Sequence, residues 1–239
     1  MYHHVMTATD IRARMEAASS QDRIEGARRF FKEPIDPRGV AAPVVKRIAA
    51  EAYREIKLWP TAKRNKLCMD LWNGGKLEDG PAATYIYRRF EKQCGSAEFR
   101  LFEDWIDNYV SNWAQCDSIA PSLLAACIGN EPALMERLTA WTRSKNRWKR
   151  RAAATALLRE AKLGRNTEFI FGIADRLIED ADEMVQKGVG WLLKETYPKK
   201  PNETVEFMLA RIGRMPRLVV RYAAEKMSSA DRALVMKRD

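Results

Sequence analysis

Apolar residues recur at intervals of three and four along almost the whole chain, and nowhere do they alternate with polar ones over the length of a strand. Val44, Val45, Ile48, Ala49 and Ala52 form one such stripe, and Phe99, Phe102, Trp105, Ile106 and Tyr109 form another. This spacing gathers side chains on one face of an α-helix, whereas a half-buried strand needs a period of two. Helices are expected over 7–18, 21–32, 41–57, 61–73, 79–93, 98–111, 118–128, 131–143, 147–162, 166–178, 182–196, 202–211 and 216–226. The breaks carry glycine and proline, as at Pro34–Pro37–Gly39, Asn73–Gly74–Gly75, Gly80–Pro81, Gly129–Asn130–Glu131–Pro132 and Met215–Pro216. The chain therefore reads as all-α. No low-complexity linker interrupts it, and residues 1–239 are expected to form a single domain.

The second half repeats itself weakly. Arg151-Ala-Ala-Ala-Thr-Ala-Leu-Leu-Arg-Glu160 resembles Lys187-Gly-Val-Gly-Trp-Leu-Leu-Lys-Glu195, and Arg221-Tyr-Ala-Ala-Glu-Lys226 echoes the start of both. A period of about 35 residues, with small residues after a basic one, is that of a HEAT-type array of helix pairs. Such arrays build extended binding faces. The net charge of +10 points to a polyanionic partner, most often nucleic acid. The cations are clustered: Lys145, Arg147, Lys149, Arg150 and Arg151 surround Trp148, Arg28, Arg29 and Lys32 flank Phe30 and Phe31, and Lys46 and Arg47 follow. Basic groups interleaved with aromatics suit a phosphate backbone with nucleobases beside it. Lys199 and Lys200 read better as a solvated helix face.

Several chemistries are excluded. The only histidines are His3 and His4, in a terminus expected to be mobile. A Ser-His-Asp triad, a Cys-His pair or a histidine-rich metal site would need one in the body of the fold. Cys68, Cys94, Cys116 and Cys127 form no C-x-x-C pair and no zinc-ligand spacing, so buried free thiols and no metal or other cofactor are expected. No apolar run reaches the roughly 18 residues of a membrane span. The N-terminal Met-Tyr-His-His-Val-Met-Thr lacks the basic and apolar regions of a signal peptide, which makes a cytoplasmic location the expectation. Any catalysis would fall to carboxylates and aromatics.

One stretch concentrates such residues: Ser111-Asn-Trp113-Ala-Gln-Cys-Asp117-Ser-Ile-Ala-Pro121-Ser-Leu-Leu124. Trp113 and Asp117 are four apart and share a face if the segment is helical. Pro121 suits the first turn of a helix, which would place Asp117 and Ser118 at its mouth as capping residues. On these residues alone, a helix cap and a core tryptophan form the plainer reading.

Three segments together carry a resemblance: Trp113-Ala-Gln-Cys-Asp117-Ser-Ile-Ala-Pro121, Asn146-Arg-Trp148-Lys-Arg-Arg151-Ala-Ala and Val185-Gln-Lys187-Gly-Val-Gly-Trp191-Leu-Leu-Lys-Glu195. In this order and spacing the chain resembles the AlkD-like DNA glycosylases of the DNA alkylation repair family. Phe30-Phe31-Lys32-Glu33-Pro34 with Gly39-Val40 looks like the entry segment of that family. The resemblance implies a right-handed α-solenoid of about six HEAT-like helix pairs holding duplex DNA in a basic concave cleft. It implies hydrolysis of the N-glycosidic bond of N3- or N7-alkylated purines. Asp117 matches the catalytic carboxylate, Trp113 and Trp191 match the tryptophans that face the deoxyribose, and Arg151 matches the arginine near the lesion. Phe30, or in the other register Phe31, matches a further aromatic. Two positions depart from the better-known members, Asn112 for a tryptophan and Ala114 for an aspartate.

The chemistry agrees with that assignment. An alkylated purine is cationic and leaves as a neutral base, so it needs no general acid. The deoxyribose it leaves becomes oxocarbenium-like, as in glycoside hydrolysis. A carboxylate stabilises such a cation, and indole faces attract it. Phosphate contacts are expected from Arg151, Arg150, Lys149 and Lys187, with Trp148, Phe30 and Arg47 also at the nucleic acid. The expected protein is a monomeric, nucleoid-associated repair enzyme acting on duplex DNA that contains alkylated purines, with no membrane and no obligate protein partner. The alternatives are a non-catalytic HEAT-type scaffold for branched or damaged DNA or for RNA, and a protein-binding solenoid with an acidic partner.

Overall fold

The structure is a computed structural model that describes residues 5–237. His3 and His4, expected in a mobile terminus, lie outside these residues. Among the described residues every regular element is helical, and no helix is long and apolar enough to cross a membrane. The chain divides into two compact units, one ending at Ile119 and one starting at Ala120.

The first unit contains α1 (Ala8–Glu16), α2 (Gln21–Phe30), α3 (Ala42–Ile56), α4 (Thr61–Trp72), α5 (Asp79–Tyr87), the 3-10 segment Arg88–Gln93, α6 (Ser96–Asn108) and α7 (Trp113–Ile119). The stripe of α3 is buried as its spacing requires: Val45, Ile48, Ala49, Ala52 and Ile56 face inward, against α1 and α5. Helices α3, α5 and α7 lie side by side, with α4 packed on α5. The core between them is aromatic, and Tyr87 meets Phe102 and Trp105 edge-on at 5.1 and 5.8 Å.

The turn before α3 is held by charge. Glu78 accepts the backbone N–H groups of Arg38, Gly39 and Val40 at 2.7 to 3.0 Å. Gly39 has φ +76°, and a Cβ there would collide with the Ser20 carbonyl. The Arg38 guanidinium donates to Asp79, which is fully buried, at 2.8 and 3.2 Å, and to Glu16 at 2.8 Å. Burial alone would lower the Arg38 pKa, but these two carboxylates together raise it above its ordinary value. This network fixes the segment leading from α2 to α3.

The second unit opens with the π-helical turn Ala120–Leu124, followed by α8 (Ala125–Asn130), the 3-10 segment Pro132–Glu136, α9 (Arg137–Trp141), α10 (Arg147–Thr155), α11 (Leu158–Leu163), α12 (Thr167–Leu177), α13 (Glu183–Thr196), α14 (Pro201–Leu209), α15 (Arg217–Ala223), the 3-10 segment Ala224–Lys226 and α16 (Ser229–Met236). The sequence repeat has a direct structural counterpart: α10, α13 and α15 carry Arg151, Lys187 and Arg221 and stack side by side. Their small residues permit the approach. Ala152, Ala153 and Ala154 are fully buried, and a Cβ at Gly190 would strike the Tyr222 side chain.

Two expectations are corrected. The helix expected over 118–128 begins five residues earlier in the chain, at Trp113. Its cap is Asn112, whose side chain accepts the Gln115 N–H at 3.0 Å, while the Gln115 side chain accepts the Ser111 N–H at 3.0 Å. Asp117 therefore lies within α7 and does not cap a helix mouth. Pro121 has no N–H for the Asp117 carbonyl, and the helical ladder widens to a π-turn there rather than starting anew. The second correction is α16, which was not expected. Ser228 accepts the Asp231 N–H at 3.1 Å, an N-terminal signal readable in Ser228-Ser-Ala-Asp231. Its short apolar pattern, with only Val235 buried, hid it.

Candidate functional site

Helix α7 presents three differently occupied faces. Trp113 and Asp117, one turn apart, are both half-buried. Trp113 meets two rings from the end of α2. Phe31 lies nearly parallel to the indole, with centroids 5.2 Å apart and planes 13° apart. Phe30 meets it edge-on at 6.0 Å and 69°, and packs edge-on against Phe31 at 5.6 Å. Sequence alone leaves Phe30 and Phe31 as alternatives beside Trp113; the structure brings both to it. Phe30 is 70% exposed, which leaves an aromatic surface open to a ligand.

The second face of α7 carries Ala114 and Ser118. Both line a cavity of about 600 Å³ bounded also by Ala27 of α2, Val45 of α3 and Tyr85 of α5. Ser118 hydrogen-bonds with Thr84 at 3.2 Å and donates to the Gln115 carbonyl at 2.8 Å. The third face holds Gln115, which is buried and spent on the turn at Ser111. The two departures from the better-known pattern thus have separate roles: Asn112 caps the helix, and Ala114 leaves room for the cavity.

In the second unit, the basic cluster is largely engaged within the protein. Arg150 grips Asp180 with two hydrogen bonds, at 2.6 and 3.1 Å, and donates to the Ser144 carbonyl at 2.9 Å. Its hydrogen bonds to Asp180 outweigh desolvation and raise its pKa. Arg147 pairs with Asp182 at 3.1 Å and covers the Trp148 ring at 4.3 Å. Burial alone would raise the Asp182 pKa, but Arg147 and the N–H groups of Met184 and Val185 together lower it. Asp182 is the N-cap of α13.

The sequence expectation for three residues of this cluster changes accordingly. Trp148 is 5% exposed and belongs to the core, so it is not an aromatic presented between cations. Arg151 is also 5% exposed; its guanidinium reaches from α10 to the Met184 carbonyl at the start of α13, which does not suit direct contact with a phosphate. Arg150 is committed to Asp180. Lys149, Lys187 and Arg47 retain solvent access, Lys149 with its ammonium 5.3 Å from the Trp141 ring. Trp191 is half-buried on α13, one turn after Lys187.

Sequence reasoning missed the carboxylate one turn beyond Trp191. Glu195, one turn further along α13, accepts a hydrogen bond from Lys226 at 2.6 Å. Burial alone would raise its pKa, but Lys226 and the charge of Lys162 together hold it below the usual carboxylate range. The readable signal was the recurrence of a basic-acidic pair at the ends of the repeats, as in Arg159-Glu160 and Lys194-Glu195.

The model of the family described as DNA alkylation repair enzyme matches residues 11–227, nearly the whole chain. The chain belongs to that family. Solved structures share its fold. A predicted DNA alkylation repair enzyme from Enterococcus faecalis superimposes with a TM-score of 0.80 at 16% identity, over 88% of this chain and 97% of that one. AlkD2 from Streptococcus mutans gives 0.64 at 17% identity, over 93% and 100%. The protein smu.31 from Streptococcus mutans UA159 gives 0.56 at 16% identity, over 77% and 100%. None of the curated proteins matches this chain. Family membership makes DNA alkylation repair the enzymatic setting of the chain and DNA the partner it suggests.

Proposed function

We propose that this family member is a DNA N-glycosylase that releases cationic N3- and N7-alkylated purines from duplex DNA. The observation that carries the reading is the placement of Asp117 one helical turn from Trp113, whose ring packs against Phe31 and the exposed Phe30. The C1′–N bond breaks heterolytically and its electron pair neutralises the cationic base. Positive charge develops on the deoxyribose, where the Asp117 carboxylate stabilises it and orients a water. The water adds to C1′ and gives its extra proton to solvent, leaving an abasic site and a free neutral base. The indole face of Trp113 attracts the same charge, by on the order of 1 kcal/mol. The resemblance of Val185–Glu195 to the family gives Trp191 a like role. Lys149, Lys187 and Arg47, all with solvent access, are assigned to phosphates.

The decisive measurement is release of free base from a duplex carrying one N7-methylguanine, with 3-methyladenine and a bulky adduct as further substrates. Asp117→Asn should slow release by about 10²- to 10³-fold, as loss of one preorganised electrostatic group does. Its affinity for the duplex should hardly change. Equal release by the variant removes Asp117 from the mechanism. Tight duplex binding with no release by the wild type, on any of the three substrates, favours a non-catalytic DNA-binding scaffold.

A further inference from the structure

The cavity bounded by α2, α3, α5 and α7 lies wholly within the first unit and plays no part in the chemistry assigned so far. Its volume of about 600 Å³ is within the roughly 300–1,000 Å³ of pockets that enclose small organic molecules. Val40, Val45, Leu77 and Pro81 give it apolar walls, and Tyr85 adds an aromatic ring. Two carboxylates, Asp22 and Glu78, and one guanidinium, Arg23, also line it, so its lining is net negative. Glu78 is held in place by the backbone N–H groups of Arg38, Gly39 and Val40. Apolar walls, an aromatic ring and a net negative lining suit a flat, cationic ring system.

The surroundings of the cavity narrow the choice. With about 3.6 residues per turn, Asp117 falls on α7 between Trp113 and the Ala114–Ser118 face that lines the cavity. On α2, Phe30 falls one turn beyond Gly26 and Ala27, which also line it. The cavity thus borders the site proposed for the deoxyribose. At Tyr85, the exposed Lys46 of α3 stands 5.3 Å from the centre of the ring, and the adjacent Arg47 is exposed as well. Cations outside and apolar walls within match a nucleotide, with its phosphate at the rim and its base inside. We propose that the cavity receives the alkylated purine turned out of the duplex, leaving its deoxyribose at the rim against Trp113 and Asp117. Unstacking costs free energy, and the cost is lowest for a damaged, poorly paired base, which favours lesions over normal purines. The proposal rests on the glycosylase reading for the identity of the base; capture of a turned-out purine needs no bond cleavage.

Gly26 supplies the test. A Cβ there meets nothing within 4 Å, and a larger side chain in mid-helix favours α2, so Gly26→Leu fills part of the cavity and keeps the fold. Gly172 of α12 is equally open but lies in the second unit, and Gly172→Leu is the control. The first readout is a duplex carrying 2-aminopurine opposite cytosine, a base whose emission is quenched in the stack and recovers when it turns out. Binding of the wild type should raise the emission several-fold and shield it from acrylamide. With Gly26→Leu the emission should stay at the level of the free duplex or become open to acrylamide, and Gly172→Leu should match the wild type. The second readout is single-turnover release of N7-methylguanine, which Gly26→Leu should slow by about tenfold while changing duplex affinity much less. Emission unmoved by the wild type overturns the proposal, and so does emission equally raised and shielded with Gly26→Leu. If the wild type releases no base, the glycosylase reading fails, and the emission alone decides whether the cavity takes a purine.

Discussion

Trp113 is restrained by Phe31, whose ring stacks on it at 5.2 Å, and is touched edge-on by Phe30. A stacked aromatic pair contributes about 0.5–1.5 kcal/mol beyond the area it buries. If Trp113 must hold its face toward a developing cation, the support from Phe31 enters the rate. Phe31→Ala should slow base release by roughly two- to tenfold at nearly constant duplex affinity, as that energy range implies. Phe31→Leu, which keeps bulk without a ring face, should fall between. Single-turnover rates beside binding isotherms measure both, and a loss confined to affinity would assign Phe31 to DNA contact instead. The types of these residues were legible in the chain, as was the spacing of Trp113 and Asp117. The stacking was not, because Phe31 and Trp113 are far apart in sequence and meet only when α2 docks beside α7.

At the scale of elements, the helices declare themselves by periodicity, but their ends depend on which of several signals prevails. At α7, Asn112 and Gln115 cap a helix that starts before Pro121, and the chain absorbs the proline in a π-turn instead of a break. Both signals were in the sequence, and only packing ranked them. The stacked row α10, α13 and α15 makes a sharper test. A Cβ at Gly190 meets the Tyr222 side chain and lies 3.1 Å from the Val219 carbonyl, neither of which can move without shifting α15. At Gly188 the nearest atom is Cγ of Arg151, 3.3 Å away, a tight contact but not an overlap. Gly190→Ala should therefore cost about 1–3 kcal/mol of stability, the usual range for overpacking. Gly188→Ala should cost clearly less. Denaturant unfolding of the two variants makes the comparison, and equal losses would mean that α13 and α15 tolerate a wider gap than their contact suggests.

For the whole molecule, the net charge of +10 overstates the cations available to a polyanion. Arg150 is taken by Asp180, Arg147 by Asp182, Arg211 by Asp175 and Arg214 by Glu179. A phosphate must displace these carboxylates, whereas Lys187 carries no ion pair among the described residues. Duplex affinity should fall steeply with salt, and each phosphate contact contributes about 0.9 to the logarithmic slope. Lys187→Gln should reduce that slope by about 1, and Arg150→Gln by markedly less. Binding isotherms across a salt series measure both slopes. Equal reductions would show that Arg150 leaves Asp180 when DNA binds.

The sequence by itself determined that this chain is helical throughout, that a unit of helix pairs recurs in its second half, and which carboxylate and tryptophans are candidates for chemistry. Those properties are local: helical period, capping residues and small residues after a basic one are written within one or two turns of chain. Only the tertiary structure decided which arginines are spent inside the protein, that Trp148 is core, that Phe31 stacks on Trp113, and that Glu195 is clasped by Lys226. Each of these depends on a partner some thirty to eighty residues away. Charge and side-chain type are the same whether a group faces solvent or a neighbouring helix, so the free energy of its contacts is settled only when helices pack.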